Sequence, residues 1–417
     1  MSKNSFKPAI TKLNIAIFLI VVMVVGFLFS RAILSMSMIL FGVNALCNVH
    51  PKEWFRQKWW LWGWIWVAYF GISILWSEDK AYGWQHLQVK LPILLLPLSF
   101  AFIPAFNKKQ LQLYTVILCL SLLYGIGYSG YFMLQDPARY IEGYRFSNVL
   151  PTLPKNEHIR FTLALALGTS WCWYIYPHLQ SRPVKWLTGI SILLFSIALH
   201  VYAVRTGLLA FYFFMSGYLV YSLFIKKTRL IAGISIAAFA LASAWAFHSV
   251  PTLKNRVDHF KWSVMVFEKG EMDPNYGDIG RYISYDLAWK IIRAHPLSGV
   301  GAGDMFSEMS RYYQEYYPQI SRDAYLMPHN QFLILGVAAG VPIILLFSIW
   351  LFYPLTELKR NRESFFTGIT WLMVLIPILV EPVLEIQFGL FVYLFFLLMQ
   401  RHQVFHGIKT EDVQHKF

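Results

Sequence analysis

Charged side chains are scarce, at 14% of 417 residues against about 25% in soluble domains. That scarcity excludes an ordinary water-soluble globule. Cysteine is nearly absent: Cys47, Cys119 and Cys172 all fall within or at the edge of apolar stretches. Thiols so placed supply neither a disulfide framework nor a clustered thiolate metal site. HExxH and paired DxD or DxE acids are missing. "GVGAGD" (Gly299–Asp304) has Asp304 where a dinucleotide loop needs its last glycine, so it reads as a turn. No motif calls for a metal, and no cofactor is expected.

Apolar residues are what the chain has instead: 57% hydrophobic and 18% aromatic, with a mean hydropathy of +0.48. Many runs reach the ~20 residues needed to cross a hydrocarbon core. They do not alternate as barrel strands would; "LNIAIFLIVVMVVGFLF" is continuous. The expected fold is therefore all-α, a polytopic helical membrane protein in one integral domain over 1–417. Twelve spans are predicted, near 12–30, 32–48, 59–76, 91–106, 111–134, 158–177, 186–204, 206–225, 230–248, 330–353, 364–380 and 387–400. The first follows a basic start, runs too long for a signal peptide and lacks a small-residue cleavage site, so it reads as an uncleaved span.

Orientation follows from lysine and arginine. With both termini cytoplasmic, the cytoplasmic segments hold 19 of the 36 basic residues and five acids, a net +14 that equals the excess of the whole chain. That bias is explained by insertion topology, so nucleic acid is not an expected partner. The outer side carries as many charges of each sign. Most lie in one loop over 249–328, between the ninth and tenth spans. Loops beyond ~15 residues are usually functional or disordered, and this one is rich in aromatics. "YISYDLAWKIIRAHP" spaces Ile283, Leu287 and Ile291 as one helical face; Pro296 and three glycines then stop it.

Ionisable groups close to apolar spans are costly and are functional candidates. Arg205 stands between the seventh and eighth spans with almost no loop around it. Arg281 opens the loop helix, where its charge opposes the helix dipole and so serves something else. His329 stands at the lip of the tenth span and can exchange a proton near neutral pH; Asn330 beside it is placed to cap the helix or orient the ring. Glu381 and Glu385, between the last two spans, are possible partners for an arginine. Two forked guanidiniums suit a diphosphate, and a nearby imidazole suits general-base work on a hydroxyl.

Four stretches then resemble the O-antigen ligase superfamily, which also holds O-antigen polymerases and bacterial protein O-oligosaccharyltransferases. They are "RTGLLAFYF" (Arg205–Phe213), "RYISYDLAWKIIRAHPLSGVGAGDMF" (Arg281–Phe306), "HNQFLILGVAAGVPI" (His329–Ile343) and "EPVLEIQFG" (Glu381–Gly389). "NEHIRF" (Asn156–Phe161) is similar to a further family feature and adds Arg160 as a possible glycan or phosphate contact. The resemblance implies a metal-independent glycosyltransferase of the bacterial inner membrane, working at the periplasmic face. Arg205 and Arg281 would hold the diphosphate of a polyprenyl-linked glycan donor. His329 would activate the acceptor hydroxyl, with Asn330, Glu381 or Glu385 in support. The expected partners are the lipid-linked donor, lipid A–core or another hydroxyl acceptor, and membrane lipids. The first reading is a ligase acting on lipopolysaccharide. A polymerase or protein-glycosylating member shares the donor chemistry. A lipid-linked glycan flippase is the rival from another class. It needs matching halves and a charged central path, whereas these charges gather at one face.

Overall fold

The computed structural model describes residues 11–47, 58–146, 148–155, 157–225, 229–269, 278–359 and 361–406. The basic residues at 1–10, 52–56, 226–227, 360 and 407–417, and Asn156, lie outside them. Among the described residues every helix expected as a span is present. In chain order the elements are α1 (Lys12–Phe29), α2 (Arg31–Leu46), α3 (Trp59–Ser73), α4 (Lys80–Phe102), α5 (Lys108–Gln135), α6 (Pro137–Gly143), α7 (His158–Ile175) and α8 (Arg182–Tyr202). There follow α9 (Arg205–Leu223), α10 (Arg229–Ser249), α11 (Pro251–Glu268), α12 (Asp278–Ala294), α13 (Met305–Tyr316), α14 (Gln331–Phe352), α15 (Arg362–Val380) and α16 (Gln387–His406). Among the described residues eight helices are long and apolar enough to cross a membrane, and α2 is a shorter apolar one. The chain is thus a multi-pass, all-helical membrane protein. The expected twelve spans include four helices below that measure, α2, α4, α7 and α16.

One boundary needs correction. The fourth span was expected at 91–106, but α4 begins at Lys80 and ends at Phe102, with Pro92 and Pro97 inside it. Two things move its start. The Asp79 carboxylate caps it by accepting from the Tyr82 N–H at 3.0 Å. Lys90, a residue that argues for a span end, is fully buried on an acidic partner instead. A proline a few residues into an apolar helix removes one hydrogen bond without ending it where neighbours and side chains compensate.

The long loop is not an appendage. Ile283, Leu287 and Ile291 of α12 are all completely buried, as their spacing predicts. The turn after α12 is stitched into the membrane bundle. Val300 and Gly301 donate their N–H groups to the carbonyls of Val337 and Ala338, both at 2.9 Å, and Val341 N–H donates to the Pro296 carbonyl at 2.7 Å. Those carbonyls are free to accept because α14 is broken at Ala339 and Gly340, where Gly340 takes φ +74. A Cβ at Gly340 would stand 2.6 Å from the Pro296 carbonyl oxygen, so only glycine allows this approach. On the other side of the turn, the Asp304 carboxylate accepts the N–H groups of Glu78 and Asp79 at 2.8 and 3.0 Å. The turn after α12, the break in α14 and the start of α4 are therefore hydrogen-bonded together at one end of the bundle.

Candidate active site

The site is assembled at that same end, where α4, α7, α9, α12 and α14 begin and α15 stops. His329 precedes α14. Asn330 is the α14 N-cap: its Oδ1 accepts from the N–H groups of Phe332 and Leu333, at 2.9 and 3.2 Å. Its Nδ2 donates to the Leu379 carbonyl at 2.9 Å, tying α14 to the end of α15. Asn330 is thus a cap and a tether, its side-chain hydrogen bonds going to α14 and to the end of α15. The ring is positioned from elsewhere. The Tyr285 hydroxyl of α12 donates to the His329 carbonyl, and His329 Nδ1 lies 3.4 Å from Glu381 Oε2. That separation is long for a hydrogen bond, and Nδ1 has no closer partner among the described residues.

Glu381 is the hub. It is the C-cap of α15 and is almost completely buried. Its Oε1 accepts from Arg281 Nη2 at 2.6 Å while Oε2 faces His329. Burial alone would raise this carboxyl; the His329 contact and the Arg281 charge, with Arg160 adding to them, outweigh it and hold the group below the usual carboxylate value. Glu381 is therefore an anion at neutral pH. Its side chain is 4% exposed, whereas those of Arg281 and His329 are 30% and 27% exposed. A buried acid thus holds a partly exposed guanidinium on one carboxylate oxygen and faces a partly exposed imidazole with the other.

Arg160 stands in the first turn of α7, with Nη1 3.4 Å from Glu157 Oε2, and its Nε has no partner among the described residues. Glu157 also takes Arg31 Nη2 at 3.4 Å. Arg160 also lies near enough to Glu381 for its charge to help hold that carboxyl down.

Arg205 opens α9 after a two-residue connection, as its position between two spans requires. Its guanidinium sits 4.9 Å over the Phe260 ring of α11 and lines an apolar cleft of about 290 Å³ that also holds Arg256. Neither Arg281, Glu381 nor His329 lines that cleft. The structure thus joins Arg281 and His329 through Glu381. It sets Arg205 beside Arg256, with α7 as the element linking the two groups.

Glu385 does not join Glu381. It is engaged by three donors: His86 Nδ1 at 2.8 Å, Lys90 Nζ at 2.7 Å and Gln331 Nε2 at 2.8 Å. Gln331 Oε1 in turn accepts the Leu384 N–H at 2.9 Å. Burial pushes this carboxyl up; Lys90 and His86 outweigh it and hold it down at about 2. Sequence reasoning missed His86, Lys90, Gln331, His158 and Arg256. Lys90 had a usable signal, a lone cation in "HLQVKLPILLLPL". Arg256 had none, because a loop arginine in an amphipathic helix looks solvated. Among the described residues no group of three or more His, Cys, Asp or Glu side chains is arranged to hold a metal ion.

Comparison with known proteins adds one positive finding. Residues 190–348 match the family model described as O-antigen ligase (Wzy_C). None of the curated proteins matches the chain. The matched stretch contains Arg205, Arg256, Arg281, His329 and Asn330, and stops before Glu381 and Glu385.

Proposed function

We propose, from the match of residues 190–348 to the family model described as O-antigen ligase, that the chain is a ligase-type glycosyltransferase of the O-antigen ligase superfamily. It moves glycan from undecaprenyl diphosphate to the lipid A–core of lipopolysaccharide, at the periplasmic face of the bacterial inner membrane. The observation that carries the reading is the Arg281–Glu381–His329 arrangement, in which one buried acid supports a partly exposed cation and a partly exposed base.

The chemistry follows from those groups. The acceptor hydroxyl oxygen attacks C1 of the donor sugar, and the C1–oxygen bond to the diphosphate breaks. The electron pair of that bond stays on the departing undecaprenyl diphosphate. In this reading Arg281 binds the oxygen atoms that take up the developing charge, and Arg205 reaches the same diphosphate from the separate cleft it shares with Arg256; fixed cations act most strongly there because they need no reorganisation as the bond breaks. The acceptor proton passes to His329. With Nδ1 turned to Glu381, the opposite ring nitrogen is the one that takes it, and the resulting imidazolium is stabilised by the carboxylate. Glu381 itself stays ionised throughout. A lipid diphosphate is already an activated leaving group, so the scheme uses no metal and no nucleotide.

The test is made in cells of the native host. His329→Ala, at normal membrane levels, is expected to remove the long-chain lipopolysaccharide ladder from a gel while full-length undecaprenyl-linked chains accumulate. Accumulation of a single repeat unit instead assigns the chain to the polymerases. An unchanged ladder contradicts the reading.

A further inference from the structure

The segment that follows α15 carries two acids with different duties. Glu381 accepts from Arg281 and faces His329, whereas Glu385, four residues on, is held by Lys90 and His86. The second acid is also tied to α14 by one side chain. Gln331 is completely buried in the first turn of that helix. Its Nε2 donates to Glu385 Oε1 at 2.8 Å, and its Oε1 accepts the Leu384 N–H at 2.9 Å. One amide thus holds both the backbone and a side chain of the segment.

The partners dictate the residue type. A backbone N–H only donates and a carboxylate only accepts, so the group between them must offer an acceptor and a donor at once. Glutamine does so. Glutamate would set a second carboxylate against Glu385. Methionine would strand the Leu384 N–H in a buried place, which is costly, and would take one donor from Glu385. Lys90, fully buried, and His86 grip the same carboxylate from α4. Glu385 is therefore a fixed anchor, and Gln331 is the link from it to α14.

The link matters because of what flanks it. His329 lies two residues before Gln331, and Glu381 lies three before Leu384. Asn330 donates to the Leu379 carbonyl at 2.9 Å, on the other side of Glu381. The start of α14 therefore grips the segment on both sides of the hub acid, at 379 and at 384–385. Within the grip the backbone is tightly bonded: the Glu381 N–H donates to the Pro377 carbonyl at 2.7 Å, and the Val383 N–H to the Glu381 carbonyl at 2.9 Å. His329 Nδ1 and Glu381 Oε2 are already 3.4 Å apart, beyond the usual range of a hydrogen bond. Any drift of the segment away from α14 loses the contact. Val383 and Leu384 are buried and keep the segment in the bundle. Apolar burial is non-directional and sets no fine register; the two bonds of the Gln331 amide do.

We propose that Gln331 is a positioning residue: anchored on the Glu385–Lys90 pair, it sets the register of the 379–385 segment against α14 and so keeps Glu381 in reach of the His329 ring. Being buried, it touches neither substrate. The inference rests on the glycosyltransferase reading above, in which His329 takes the acceptor proton.

The test is a double-mutant cycle on the purified full chain in nanodiscs, with undecaprenyl diphosphate-linked glycan as donor and lipid A–core as acceptor. Gln331→Met is expected to lower kcat about 10–10²-fold, the scale of loss that a misplacement near 1 Å brings, with KM for donor and acceptor unchanged. In a His329→Ala background the same change is expected to cost less than about twofold, because groups that act as a unit are not additive. A merely structural role would multiply the two losses. If Gln331→Met does not accumulate, Gln331→Asn, which keeps the amide on a shorter stem, takes its place in the cycle. The exchange variant, Gln331→Glu with Glu385→Gln, keeps an amide against a carboxylate and is expected to recover most of the kcat that Gln331→Glu alone loses. An unchanged kcat, losses that multiply, a rise in either KM, or an exchange variant no better than Gln331→Glu alone overturns the proposal while leaving the functional reading intact. A wild-type chain that transfers no glycan, or a His329→Ala chain with undiminished kcat, overturns that reading and this inference with it.

Discussion

Replacing His329 by alanine is expected to lower the turnover number about 10²–10⁴-fold, the usual contribution of one general base, with little change in donor affinity. The separation of effects follows from geometry. The imidazole faces Glu381 through Nδ1 and holds no helix together, because the α14 cap is made by Asn330 and not by His329. Loss of the ring leaves the cap, the Tyr285 bond to the residue 329 carbonyl and the Arg281–Glu381 pair in place. The check is a discontinuous transfer assay with purified protein under saturating donor. A tenfold weaker effect would mean that the acceptor proton leaves by another route. Glu381→Gln is expected to lower turnover too. Unlike His329→Ala it also loosens Arg281, so it raises donor KM as well.

The second large effect concerns stability. Lys90→Met leaves the buried Glu385 carboxylate without its cation, and removing one partner of a buried pair typically costs about 3–5 kcal/mol. Lys90 is completely buried and reaches Glu385 at 2.7 Å, with the Phe70 ring 4.3 Å from the ammonium nitrogen. Adding Glu385→Gln to the Lys90→Met background removes the stranded anion and is expected to recover most of the loss. Thermal unfolding of the single and double variants in one detergent measures the difference. A Lys90→Met protein as stable as wild type would mean that the pair contributes nothing to the bundle.

The sequence carried the bundle further than it carried the site. Long apolar runs fixed the helices, because nothing but a helix satisfies the backbone in lipid. The α12 face was legible since Ile283, Leu287 and Ile291 obey one period. The start of α4 was not, since Lys90 is unfavourable in an apolar span until a carboxylate from 295 residues away is supplied. The same distance problem decided which acid meets which base. Glu381 and Glu385 are four residues apart and chemically alike, yet the short segment after α15 turns one to Arg281 and His329 and the other to His86 and Lys90. Nor could the pattern show that Arg205 shares a cleft with Arg256. The fit of the loop turn into α14 was also hidden. It depends on backbone carbonyls freed at Ala339 and Gly340, and "AAGVP" by itself reads only as a kink.

The central claim is a division of labour, in which arginines hold the lipid diphosphate and His329 acts on the acceptor. Native mass spectrometry of the purified chain with undecaprenyl diphosphate tests it most directly. The account predicts a bound lipid in wild type and in His329→Ala, and its loss in Arg281→Ala and Arg205→Ala at the same lipid concentration. Retention of the lipid by both arginine variants, or its loss in His329→Ala, would contradict it.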